Sequence, residues 1–112
     1  MKLAVIGSRE FSNKNLVADT LDPLRDNIEL FISGGARGAD KLGERWANKN
    51  NIPTEIYYPD HKQYRHPYHH RNRLIVEACD KVIAFWDGHS TGTKYTINYA
   101  KTMGKEVEII RV

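Results

Sequence analysis

Apolar residues gather into five short runs along the chain: Leu3 to Ile6, Ile28 to Ile32, Ile52 to Tyr58, Val82 to Trp86 and Val107 to Ile110. Each run has the length of a strand, and most are rich in β-branched or aromatic residues. Between the runs the apolar spacing changes to that of a helix. Leu16, Val17, Thr20, Leu21 and Leu24 share one helical face, as do Ala39, Leu42, Trp46 and Ala47. Leu74, Ile75 and Ala78 make a third stripe, and Ile97, Ala100 and Met103 a fourth that Gly104 is placed to stop. Strand and helix alternate. The pattern predicts one α/β domain over residues 1–112, a mainly parallel sheet of about five strands with helices on both faces.

Length and composition agree with this picture. At 112 residues, 40% hydrophobic and 28% charged, the chain fits one domain, which buries roughly 65% of its unfolded surface. No repeat or linker divides it. The lone Cys79 has no internal partner, which suits a reducing compartment. No apolar run reaches the ~20 residues of a membrane span, and Met1 to Gly7 turns polar too soon for a signal peptide. A cytoplasmic protein with no membrane partner is expected. The net charge of +3 permits an anionic ligand. It is too mild, and its cations too spread along the chain, to argue for nucleic acid as the partner.

A parallel sheet binds ligands beyond the carboxyl ends of its strands. Four loops would leave that edge: Gly7-Ser8-Arg9, Ser33 to Asp40, Pro59 to Arg71, and Asp87 to Thr93. The second, Ser33-Gly34-Gly35-Ala36-Arg37-Gly38-Ala39-Asp40, runs from a strand into a helix. Its glycines let a ligand approach the backbone, free amides at a helix start attract anions, and Arg37 adds a planar cation suited to phosphate. The competing reading is a tight turn in which Asp40 serves only as a helix cap or first-turn acid. The spacing matches neither a dinucleotide fingerprint nor a Walker loop. In the fourth loop Gly88 and Gly92 free the backbone, and Ser90, Thr91 and Thr93 offer hydroxyls and amides ahead of a helix beginning near Thr93 or Lys94. Read alone this is a polar, capped loop. Read beside the second loop it is the other half of a phosphate or ribose cradle. In the first loop Ser8 and Arg9 supply a hydroxyl and a guanidinium, or Arg9 simply faces solvent.

Val5-Ile6-Gly7-Ser8-Arg9, Ile32 to Asp40, Arg71-Asn72 and Ala84 to Thr93 together resemble the YspA-related branch of the SLOG superfamily, which includes the DNA-processing protein DprA and the lonely-guy (LOG) phosphoribohydrolases. The resemblance covers almost the whole chain. It implies a Rossmann-like fold, a nucleotide-type ligand at the glycine loops, no cofactor, a prokaryotic or phage source and a homo-oligomer. Gly7, Ser8, Arg9, Ser33, Gly34, Gly35, Ala36, Arg37, Asp40, Arg71, Asn72, Asp87, Gly88, Ser90, Thr91, Gly92 and Thr93 are then the expected ligand residues. LOG enzymes carry Pro-Gly-Gly-x-Gly-Thr-x-x-Glu, whose glutamate serves N-glycosidic cleavage. Here Thr96 stands at that place, so the expectation leans from hydrolase to sensor or sequestering protein. Single-strand binding, by analogy with DprA, is the third possibility.

The third loop holds four of the five histidines, His61, His66, His69 and His70, beside Tyr64, Arg65 and Tyr68. Pro67 argues against a regular helix from His66. With Asp60 the only carboxylate close by, a metal site is not expected, and these side chains either wall the pocket or face solvent. If the protein catalyses anything, Asp40, Glu44 and Asp87 are the first acids to test. Glu44 has a competing role on a solvated helical face.

Overall fold

A computed structural model describes all residues, Met1 to Val112. Five strands, β1 (Lys2–Gly7), β2 (Leu30–Ser33), β3 (Thr54–Ile56), β4 (Lys81–Trp86) and β5 (Glu106–Arg111), alternate with four helices, α1 (Lys14–Leu21), α2 (Ala39–Lys49), α3 (Pro67–Ala78) and α4 (Thr91–Thr102). A 3-10 turn over Asp22–Asn27, which apolar spacing does not betray, links α1 to β2. Every strand pair is parallel, in the order β3-β2-β1-β4-β5. The chain builds outward from β1 to β3, then crosses back to lay β4 on the other side of β1. That reversal puts α1 and α2 on one face and α3 and α4 on the other, and it opens a crevice between the ends of β1 and β4.

Period-two alternation divides the core between the faces. Leu3, Val5, Phe31, Ile83 and Phe85 pack with Val17, Leu21, Trp46 and Ala47 beneath α1 and α2. Ala4, Ile6, Ile32, Val82 and Ala84 pack with Ile75, Val76, Ile97 and Ala100 beneath α3 and α4. Strands buried on both faces read as unbroken apolar runs, which is why β1 and β4 stood out in the sequence. Trp46 belongs to this core, its indole N–H donating to Asp22 Oδ1 at 2.8 Å.

The starts of two helices differ from the sequence reading. α3 begins at Pro67, with His66 as its cap residue. Proline at a first helical position breaks no hydrogen bond, because that N–H has no helical partner. Tyr68 to Arg71 therefore stand on a helix, not in a loop. α4 begins two residues earlier than expected, where Ser90 Oγ accepts from Thr93 N at 3.4 Å as the N-cap.

Candidate functional site

The carboxyl edge of the sheet carries a cleft of about 580 Å³, within the range of small-molecule sites. Its floor is the crevice between β1 and β4. Gly7, Ser8 and Arg9 line it from the first loop, Ala36 and Asp40 from the second, and Asp87 with Ser90 to Thr93 from the fourth. The first turns of α3 add Tyr68, His69, Arg71 and Asn72. Thr96 lies at its wall, nearly buried, its hydroxyl donating to Gly92 O at 3.0 Å.

Ser8 fastens three loops. Its N–H donates to Phe85 O at 3.0 Å, its Oγ accepts from Asp87 N at 3.2 Å, and its carbonyl accepts from Ala39 N at 3.4 Å. The last contact brings the start of α2 against the first loop. Gly38, with φ +81°, makes it possible, since a Cβ there would overlap the carbonyl oxygens of Ser8 and Arg9.

Arg71 is the buried cation of the cleft, 6% exposed. Its Nη1 donates to Gly34 O at 2.6 Å and its Nε to Asn72 Oδ1 at 2.8 Å. Burial lowers its pKa from the usual arginine value, and the charge of Asp40 works against that; arginine stays charged regardless. A Cβ on Gly34 would lie 2.8 Å from Arg71 Nη1 and 3.0 Å from Asp40 Oδ2. The second loop's first glycine thus reserves space for these two side chains rather than for a ligand. Asp40 accepts from Ala36 N at 3.2 Å. Burial pushes its carboxyl from 3.8 up to about 7, against the pull of the Ala36 amide and Arg71. Asp87 is shifted the other way: the Ser90 and His89 amides, each donating to its Oδ1 at 2.8 Å, hold its carboxyl below the usual range.

The remaining expected residues lie outside the cleft wall. Arg37 is 70% exposed and pairs with Glu10. Ser33 is fully buried and donates to Glu44 Oε2 at 2.6 Å, while Lys41 approaches Glu44 Oε1 at 3.3 Å. Glu44 is therefore neither on a solvated face nor at the cleft. Gly35 lies against Tyr58, and Gly88 beneath the Arg111 guanidinium.

Aromatic rings form the outer wall. The guanidinium of Arg9 stands 5.4 Å from the Tyr68 ring centre and that of Arg71 5.7 Å, so the ring is shared by two cations. His69 stacks on Tyr95 at 4.0 Å, and His70 on Tyr64 at 3.6 Å. No three His, Cys, Asp or Glu side chains converge into a set that could hold a metal ion.

Charge is also segregated. From His61 to Val76 the chain carries Lys62, Arg65, Arg71 and Arg73 and no carboxylate; from Gly88 to Lys105 it carries Lys94, Lys101 and Lys105 and none. These stretches hold α4 and all of α3 but its last two residues, Glu77 and Ala78, and the two helices pack on one face of the sheet. The mild net charge conceals a basic, aromatic face beside the cleft.

An open, all-parallel sheet with a polar cleft at its topological reversal defines a Rossmann-like α/β domain. The family model described as YspA, cpYpsA-related SLOG family matches residues 1–64. The chain is 30% identical over 113 residues to the Gene 61 protein of Mycobacterium phage D29, covering 92% of this chain and 90% of that protein. It belongs to the YspA, cpYpsA-related SLOG family. Among solved structures, DNA processing protein A of Streptococcus pneumoniae superimposes with a TM-score of 0.84 at 22% identity, over 99% of this chain and 50% of that one. The Helicobacter pylori protein of that name, described for its single-stranded DNA binding mode, gives 0.77 at 21% over 97% and 64%. The chain thus spans between half and two thirds of these structures, and at such identities the likeness is one of fold. No helix is long and apolar enough to cross a membrane.

Proposed function

We propose that the cleft binds a nucleotide or nucleotide-derived phosphate ligand, in a sensing or sequestering role. The observation that carries this reading is the convergence of Arg9, Arg71 and the N-terminal turn of α4 on one cleft. Guanidinium forks and helix-start amides are the two protein groups best matched to phosphate. Tyr68 and His69 offer rings for a base to stack on, and Asp87 offers carboxylate oxygen to ribose hydroxyls. Arg37, held by Glu10, has no part in this cradle. N-glycosidic hydrolysis is the competing chemistry, with Asp40 and Asp87 as the acids within reach. Native mass spectrometry of the purified protein, followed by calorimetric titration with a nucleotide panel, tests the binding. A co-purified or titrated nucleotide is expected, and the intact mass also tests the expected homo-oligomer. Failure of every nucleotide to bind at millimolar concentration sinks the proposal. Release of free base during the titration would turn it into an enzyme reading.

The basic, aromatic face of α3 and α4 favours a second reading, single-stranded nucleic-acid binding, as described for the Helicobacter protein. Affinity for an oligonucleotide would then fall steeply with salt, and Arg65→Glu with Lys94→Glu would flatten that slope. Salt-insensitive or absent binding removes this reading and leaves the first intact.

A further inference from the structure

The cleft has a neighbour. A second cavity of about 410 Å³ opens on the α1 side of the same sheet edge, bounded by Phe11, Ser12, Leu16 and Val112. It shares Ser8, Glu10 and Asp87 with the first cleft. Together the two hollows straddle the crevice where the strand order reverses between β1 and β4.

Their chemistries differ in order along the edge. The first holds the cations and the helix-start amides. The second offers the aromatic ring of Phe11, stacked on Phe85 at 5.1 Å, and the apolar side chains of Leu16 and Val112. The divide carries two carboxylates. Glu10 is 82% exposed in its pair with Arg37, and Asp87 has one oxygen occupied by the His89 and Ser90 amides. Arg37 offsets the charge of Glu10, but Asp87 has no ion-pair partner, so a phosphate on that divide would still meet negative charge, whereas sugar hydroxyls would find acceptors. A ring beyond the sugar would find an apolar wall.

We propose that the protein binds a two-headed nucleotide, its phosphates in the first cleft, its second sugar over Glu10 and Asp87, and its second ring in the Phe11 cavity. The proposal rests on the nucleotide reading of the first cleft and adds a second lobe to it. A ligand that fills both lobes gains an intramolecular second contact over a mononucleotide that fills one.

The test compares AMP, GMP, CMP and UMP with the corresponding symmetrical 5′,5′-dinucleoside diphosphates, by calorimetry and by amide chemical shifts of the full chain. For the preferred base, the two-headed compound is expected to bind at least tenfold tighter than its monophosphate and to shift the amides of Ser12, Leu16 and Val112, which the monophosphate leaves in place. Ser12→Trp, a change at an exposed position that fills the second cavity, is expected to cancel the gain. Equal affinities, or shifts confined to the first cleft, overturn the two-lobed site while leaving the nucleotide reading standing. If neither compound type binds for any base, the nucleotide reading itself falls, and this inference with it.

Discussion

Gly92 separates ligand binding from folding more cleanly than any other position. It is the second residue of α4 and lines the cleft, yet a Cβ built on it would meet nothing within 4 Å beyond its chain neighbours and the backbone of its own helix. Its φ lies outside the left-handed region, so alanine fits the backbone without strain. Gly92→Ala is therefore expected to stabilise the free protein by about 0.5 kcal/mol, chiefly by restricting the unfolded chain. For a domain of this size that raises Tm by roughly 2–4 °C. The added methyl stands in open space at the cleft wall, and on the proposed reading an anion approaches the amides of this first turn. Holding a phosphate off even one such amide loses a charge-assisted hydrogen bond of about 1.5–3 kcal/mol, which is tenfold or more in Kd. Scanning calorimetry of the free protein and isothermal titration with the bound nucleotide read the two effects separately. A variant with raised Tm and a Kd within twofold of wild type would refute placement of the phosphate at α4.

Arg71→Met should lose about 2–3 kcal/mol in urea unfolding, because the buried Gly34 carbonyl loses its charged donor, and should bind nucleotide at least tenfold more weakly; Arg37→Ala, which breaks only an exposed pair, should change stability by less than about 1 kcal/mol and leave affinity within twofold. Ser33→Ala should cost about 1–3 kcal/mol by leaving Glu44 short of a buried donor, with ligand affinity unaltered; a loss of affinity at constant stability would bring Ser33 back into the site. Asp40, raised from 3.8 to about 7, keeps a proton in the folded chain over a range where the unfolded chain has lost it. Its contribution to stability is thus fully present below about pH 4, declines as pH rises to about 7 and is constant beyond, a change on the order of 4 kcal/mol. Asp40→Asn, which keeps an acceptor for the Ala36 amide, should remove that slope from urea titrations run across this range, and an unchanged slope would assign the pH dependence elsewhere.

The sheet was legible because β1 and β4 are buried on both faces and so write themselves as continuous apolar runs. The edge strand β3 was not. Of the run Ile52 to Tyr58 only Thr54–Ile56 pairs, since an edge strand is tied on one side alone. The start of α3 is hidden in the sequence because Pro67 looks like a helix breaker, although a first-turn position suits it. The lining of the cleft was half legible. Ser8, Arg9, Asp40, Arg71 and the Ser90 to Thr93 turn were picked from their loops and do meet at one cleft. Arg37 sits among glycines that suit phosphate, but what stands across from its guanidinium is Glu10. Glu10 itself, which walls both hollows, left no signal, being an ordinary surface acid until the fold brings it to the divide. The basic face was hidden for a similar reason. A net charge of +3 sums over the whole chain, while the acid-free stretches are gathered on one side only when α3 packs on α4.

The loops with the strongest phosphate-binding look do less contacting and more holding than their composition implies. Gly34 makes room for Arg71 and Asp40, and Gly38 lets α2 press on the first loop. Ser8, chosen as a ligand hydroxyl, is 4% exposed and spends its N–H, carbonyl and Oγ acceptor on Phe85, Ala39 and Asp87. These ties join the ends of β1 and β4 to the start of α2 by backbone atoms, so the cleft's shape is set before any ligand arrives. On the proposed nucleotide reading, a cleft built this way would lose little conformational freedom on binding. On that reading, Arg71, Tyr68 and the Ser90 to Thr93 turn, which face the cleft from α3 and α4, are the groups that would distinguish one anion from another. Substitutions at Tyr68 and in the Ser90 to Thr93 turn should accordingly change selectivity, substitutions in the glycine loop should change stability, and Arg71, tied to the Gly34 carbonyl, should change both.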